Sequence, residues 1–144
     1  MHVEITRIHA EARLPQYETL ESSAFDLTSV AAVTVEPGKV ALIPTGLVIK
    51  VPQRMFLGIF ARSSTPLKRG LIVANGVGVI DPDYSGPNDE VMIQVMNVGD
   101  SDVKVSRGDR LAQGIVLPAP RVVWEEVSEI REVTRGGFGS TGTA

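Results

Sequence analysis

The sequence predicts an all-β fold, a distorted jelly-roll-like sandwich or barrel with one short helical turn, on three observations. Apolar residues rarely recur at helical spacing. Short runs rich in Val and Ile follow one another along the chain. Each run is bounded by Pro, Gly, Asn or Asp, the residues that stop strands and build turns. With 144 residues the chain suits a single domain that buries roughly 70% of its unfolded surface around one core.

The elements follow in order. "AVTV" at 32–35 stops at Pro37 and Gly38, "KVALI" at 39–43 at Pro44, and "LVIKV" at 47–51 at Pro52. "MFLGIFA" begins at Met55. In "STPLKRG", Thr65 suits a helix cap, Pro66 the first helical position and Gly70 the end, so one helical turn is expected. "GVGVI" at 76–80 is a strand that runs into the polar "DPDYSG", and "EVMIQVMN" and "RLAQGIVL" supply two more. Residues 122–127, "VVWEEV", read as a strand leading into an irregular segment, although Trp124, Val127, Ile130 and Val133 also recur at spacings of three. The final "TRGGFGSTGTA" is rich in glycine and small hydroxyl residues, which cannot build a core. The expected division is therefore a β-rich catalytic body at 1–132 and a flexible glycine-rich arm at 133–144.

Composition narrows the partners. A net charge of -3 provides no basic field for a nucleic-acid backbone or an anionic membrane, so a nucleic-acid-related ligand should be small. The absence of cysteine removes disulfides and thiolate chemistry, and the two histidines, His2 and His9, are poor candidates for a metal site. The first fifteen residues contain no apolar run of secretory or membrane-spanning length, which points to a soluble, cytoplasmic protein.

Five stretches carry chemistry. "ARSST" sets Arg62, Ser63 and Ser64 ahead of the helical turn, a donor set suited to phosphate oxygens; alone it also fits a solvated loop. The arm offers successive glycine N–H groups with Ser140, Thr141 and Arg135, and a lone Phe138 able to close over a flat ligand. Asp26 in "AFDLTS" suits a magnesium-bound water, because that ion keeps most of its hydration shell. In "RGDRLAQG", Asp109 reads as a turn residue, while Gln113 interrupts an apolar strand and needs a partner. Asp81, at a strand end in "IDPDYSG", is expected to be partly buried and able to accept a proton from water, with Tyr84 offering a flat face to a sugar.

Taken together, "SSAFDL", "ARSST", "NGVGVIDPDYSG", "RGDRLAQ" and "RGGFGSTG" make the chain resemble the trimeric deoxyuridine triphosphatases (dUTPases), whose five motifs stand here in order. The resemblance implies a homotrimer with active sites shared between subunits. It implies hydrolysis of dUTP to dUMP and pyrophosphate with Mg2+, which limits uracil in DNA and supplies dUMP for dTTP synthesis. It gives Asp81 the role of catalytic base and Asp26 that of a metal contact through water. Tyr84 would pack on deoxyribose; Asn75, Gly78 and the hairpin backbone would read uracil. Arg62, Ser63, Ser64 and Gln113 would hold the phosphate chain, Phe138 would stack on the base, and Arg135, Gly139, Ser140 and Thr141 would reach the phosphates as the arm closes.

Three departures stand out. Two residues separate Arg135 from Phe138, two fewer than usual in the family; "PNDE" lengthens the hairpin after "DYSG"; and Phe25 replaces a tyrosine. The rival readings are a dCTP deaminase of the same fold and a nucleotide-gated regulatory protein on this scaffold. The deaminase needs a glutamate where this chain has Gln94, and an amide cannot shuttle a proton.

Overall fold

The computed structural model describes residues 1–134, 136 and 137. Its strands are β1 (Glu4–Arg7), β2 (Gln16–Tyr17), β3 (Phe25–Thr28), β4 (Val33–Val35), β5 (Val40–Pro44), β6 (Leu47–Lys50), β7 (Met55–Ala61), β8 (Leu71–Val73), β9 (Gly78–Ile80), β10 (Met92–Asn97), β11 (Val103–Val105) and β12 (Arg110–Pro118); α1 (Ser64–Arg69) is the sole helix among the described residues. The strands pair in the orders β1-β6, β5-β10-β8, β11-β4 and β2-β3-β12-β7-β9. Each of these pairings is antiparallel.

One core joins the four sheets. Leu47 and Ile49 enter it from β6, Ile43 and Ile93 from β5 and β10, Val35 and Val105 from β4 and β11, and Leu27, Leu57 and Leu111 from the five-stranded sheet. In β3 and β10 buried side chains alternate with more exposed ones, as a strand with period two buries a single face, whereas Leu47, Val48 and Ile49 of β6 are all buried. The three-stranded sheet also has an apolar outer face. There Met96 stands opposite Val40 on one side and Ile72 on the other, and Leu42 stands opposite Gln94. Val40 and Leu42 are 52% and 56% exposed.

The helix differs in detail from the sequence expectation. It begins two residues earlier, at Ser64, with Ser63 at the N-cap making no side-chain bond and Pro66 at the third helical position. Thr65 is buried, and its hydroxyl donates to the Leu111 carbonyl at 2.8 Å instead of capping. A buried hydroxyl needs a partner, and the nearby strand offers one. Gly70 ends the helix as expected, in the left-handed region at φ 64°, its N–H donating to the Pro66 carbonyl.

The strand expected over 122–127 is absent. Residues 120–134 form no regular structure and are exposed throughout, Val123 at 96% and Trp124 at 90%. β-branched composition favours a strand only where a second strand supplies the ladder, and among the described residues none lies beside this segment. No helix among the described residues is long and apolar enough to cross a membrane.

Candidate active site

An irregularity in β12 organises one face of the five-stranded sheet. Arg110 pairs with Thr28 and Ala112 with Leu27, so Leu111 is an extra residue in the ladder, a β-bulge. Without it, Arg110 and Gln113, three positions apart, would point to opposite faces. The bulge puts both on the face that carries Asp26, while Leu111 and Ala112 are buried side by side in the core. The Leu111 carbonyl, outside the ladder, is the one that receives the Thr65 hydroxyl. The same bond docks α1 against β12.

On that face lies a cavity of about 400 Å3, lined by Asp26, Arg62, Ser63, Ser64 and Gln113 with Glu18, Ile115 and residues 22–24. Asp26 is the electrostatic hub. Its Oδ1 lies 2.8 Å from Arg62 Nε and its Oδ2 3.0 Å from Arg110 Nη1, and Arg110 Nη1 also reaches Glu18 Oε2 at 2.5 Å. The arginine of "ARSST" is thus held over the cavity before any anion arrives. Gln113 finds the partner it needed, its Nε2 donating to the Ala61 carbonyl at 3.0 Å.

Asp109 closes its turn by accepting the Ser106 N–H at 2.8 Å, as a turn residue should, and also pairs with Arg69 at 2.6 Å. The Arg69 hydrogen bond holds its carboxyl below the ordinary carboxylate value, against the opposing effect of burial. Helix and turn are therefore tied twice, by Arg69 to Asp109 and by Thr65 to Leu111.

The hairpin residues lie elsewhere. Gly78 is buried in β9 opposite Ile59, where a Cβ would stand 3.0 Å from the Ile59 Cβ. Asn75 is exposed in the turn before it, its carbonyl accepting the Val77 N–H. Asp81 is exposed, contrary to the partial burial expected, because the β7–β9 ladder ends at Leu57 and Ile80 and the chain then lifts away. Its carbonyl accepts the Tyr84 N–H at 3.2 Å, and the half-exposed Tyr84 donates its hydroxyl to the Glu90 carbonyl at 3.2 Å. One further ladder step would set Asp81 beside Phe56, six positions from Arg62 and about 20 Å away at the usual strand rise. Within one chain, Asp81 and Tyr84 do not line the cavity that holds Arg62.

Arg135, Phe138, Gly139, Ser140 and Thr141 lie outside the described residues. Two participants escaped the sequence reading: Glu18, for which no local signal exists, and the bulge, whose signal was a polar pair three apart around two apolar residues in "RLAQ". Among the described residues, no three His, Cys, Asp or Glu side chains group to hold a metal ion. Asp26, which lines this polar cavity together with Glu18, nevertheless suits magnesium, which keeps several waters and is held through them.

Comparison with known proteins is consistent in sequence and in fold. The dUTPase family model matches residues 10–142. A deoxyuridine 5'-triphosphate nucleotidohydrolase of Helicobacter pylori is 37% identical over 146 residues, covering 100% of this chain and 99% of its own length. That of Brucella melitensis is 41% identical over 137 residues, covering 91% and 85%. Among solved structures, the dUTPase of Streptococcus mutans superposes with a TM-score of 0.76 at 30% identity, covering 86% of this chain and all of that one. A variant dUTPase of Staphylococcus bacteriophage 80alpha, bound to dUpNHpp, reaches a TM-score of 0.88 at 20% identity over 99% of both chains, a likeness of fold.

Proposed function

The chain belongs to the dUTPase family, and on that premise we propose how its residues carry out the hydrolysis of dUTP to dUMP and pyrophosphate. It is a dUTP diphosphatase, a hydrolase of nucleotide metabolism that limits uracil in DNA and supplies dUMP. The observation that carries the site assignment is the cavity that gathers Asp26, Arg62, Ser63, Ser64 and Gln113 on one sheet face.

In this reading the guanidinium of Arg62, the hydroxyls of Ser63 and Ser64 and the amide of Gln113 hold the phosphate chain. Pairing with Asp26 orders Arg62 in advance, so less freedom is lost when substrate binds. Asp81 orients a water and takes its proton as the water oxygen bonds to the α-phosphorus. The bond from that phosphorus to the α,β-bridging oxygen breaks, and pyrophosphate leaves. Phosphoryl chemistry of this kind depends mostly on position and charge neutralisation, which suits many modest donors. Magnesium, contacted by Asp26 through a bound water, would supply charge neutralisation on the triphosphate. Tyr84 packs on the deoxyribose, Asn75, Gly78 and the hairpin backbone read uracil, and Phe138 stacks on the base. The arm at 133–144 closes over the site with Arg135, Gly139, Ser140 and Thr141 toward the phosphates.

Asp81 and Tyr84 do not line the cavity that gathers Asp26, Arg62 and Gln113 in one chain, which supports a site completed by other copies. A homotrimer meets that need. The apolar outer face at Val40, Leu42, Ile72 and Met96 and the exposed apolar residues of 120–134 provide surface for such contacts. A cytoplasmic location goes with a free nucleotide substrate.

The test is pyrophosphate release from dUTP, dCTP, dTTP and UTP side by side, with magnesium and then with chelator. We expect strong selectivity for dUTP and loss of activity on chelation. Equal cleavage of dCTP or UTP would refute the assigned pocket, and full activity in chelator would refute the role of the metal.

A further inference from the structure

Between Gly86 and Glu90 the hairpin makes an excursion through Pro87, Asn88 and Asp89. It is closed from both sides, Asp89 Oδ2 accepting the Gly86 N–H at 2.6 Å and the Gly86 carbonyl accepting the Asp89 N–H at 3.1 Å. Only glycine fits at 86 without a shift, because a Cβ there would stand 2.9 Å from Asp89 Oδ2.

The far end of the excursion is anchored to the body of the protein. Glu90 Oε1 accepts the Gly46 N–H at 2.6 Å, and Val91 donates its N–H to the Leu47 carbonyl while its own carbonyl accepts the Thr45 hydroxyl. That anchor requires glycine. Gly46 adopts φ 69°, and a Cβ there would stand within 2.9 Å of the Ala12, His9 and Val30 side chains, so no other residue fits the turn without strain.

Tyr84 is attached to both parts. Its N–H is held by the Asp81 carbonyl, and its hydroxyl donates to the carbonyl of the anchored Glu90. The distance between the Tyr84 backbone and Glu90, and so the tilt of the ring, depends on the span of the excursion.

We propose that Asp89 is a positioning residue for sugar discrimination: by fixing the span from residue 84 to residue 90, it sets the Tyr84 ring at the height that admits deoxyribose and refuses a 2′-hydroxyl. The inference rests on the reading of Tyr84 as the residue packed on deoxyribose. Asp89 itself touches no substrate and acts through Tyr84.

The test compares Asp89→Ala, Asp89→Asn and Tyr84→Ala in the full chain with magnesium, measuring kcat and KM on dUTP and UTP together with thermal stability. Loss of a charge-assisted bond in a half-buried loop should raise the KM for dUTP about three- to tenfold in Asp89→Ala. Its kcat should stay near wild type, and its preference for dUTP over UTP should narrow by a similar factor. Asp89→Asn, whose amide oxygen can still accept the Gly86 N–H, should restore both. If Tyr84→Ala relaxes sugar preference and Asp89→Ala does not, the role of Asp89 is overturned while the reading of Tyr84 stands. If Tyr84→Ala leaves the preference intact, the reading of Tyr84 is overturned and the proposal with it. Equal loss in the Ala and Asn variants, or an Asp89→Ala chain that loses stability and kcat together, would overturn the proposal by assigning the loop to folding.

Discussion

Replacing Asp109 by asparagine isolates the tie between α1 and the turn before β12. The carboxylate Oδ2 accepts both Arg69 Nη1 at 2.6 Å and the Ser106 N–H at 2.8 Å. An asparagine amide oxygen can keep the Ser106 bond, so the variant loses chiefly the charge facing Arg69. With side-chain exposures of 22% and 33%, the pair lies between a solvated ion pair and a buried one. We expect a destabilisation of about 1 kcal/mol at pH 7. Asp109→Ala, which loses both bonds, should cost about 2 kcal/mol. The folded carboxyl sits below its unfolded value, so its stabilisation is complete above the unfolded pKa of about 3.9. That contribution is lost as pH falls through the lower folded value. Urea unfolding at fixed chain concentration, run from pH 7 into acid, should therefore show a gap between wild type and Asp109→Asn that closes below about pH 3.9. No gap at pH 7, or a gap that persists at the acid end, would refute the reasoning. Thr65 still docks the helix through Leu111, so kcat of the variant should stay near wild type.

Two further outcomes test the site and the assembly. Asp81→Asn should bind dUTP by calorimetry with little change while kcat falls by about 10²- to 10⁴-fold, and retained turnover would remove Asp81 from the role of base. Leu42→Glu puts a charge on the apolar face of the three-stranded sheet and should shift the sedimenting species below a trimer; an unchanged trimer would show that this face is not the contact.

The longer strands were legible because β5, β6, β10 and β12 each present Val, Ile or Leu in runs closed by Pro or Asn, and β7 is an apolar run that begins just after Pro52. β2, β8 and β11, of two or three residues, are too short to show a period. Residues 122–127 misled for the opposite reason: their composition is strand-like, but a strand is a property of two segments, and among the described residues no second one pairs with them. Asp26, Arg62, Ser63, Ser64 and Gln113 were each readable as polar residues in apolar or turn settings, and the fold brings them to one cavity. The Glu18 to Arg110 pair was not readable, since it depends on β2 and β12 flanking β3 across 92 positions of sequence. The exposure of Asp81 was hidden likewise, because where a ladder stops is decided by its partner strand.

The extra residue at Leu111 gives the chain an uneven tolerance to changes in length. Deleting that single codon would leave β12 able to pair without interruption, and a local ladder would look healthier for it. Yet Arg110 would swing to the opposite side of the sheet from Gln113, Asp26 would lose one of its two guanidiniums, and Thr65 would lose its acceptor. The excursion at residues 87–89 is closed by Asp89 on Gly86 and anchored at Glu90, outside every ladder of the sheets. Insertions and deletions accepted during divergence should therefore collect at the hairpin tip and be purged from β12, a distinction that substitution scans alone would never reveal.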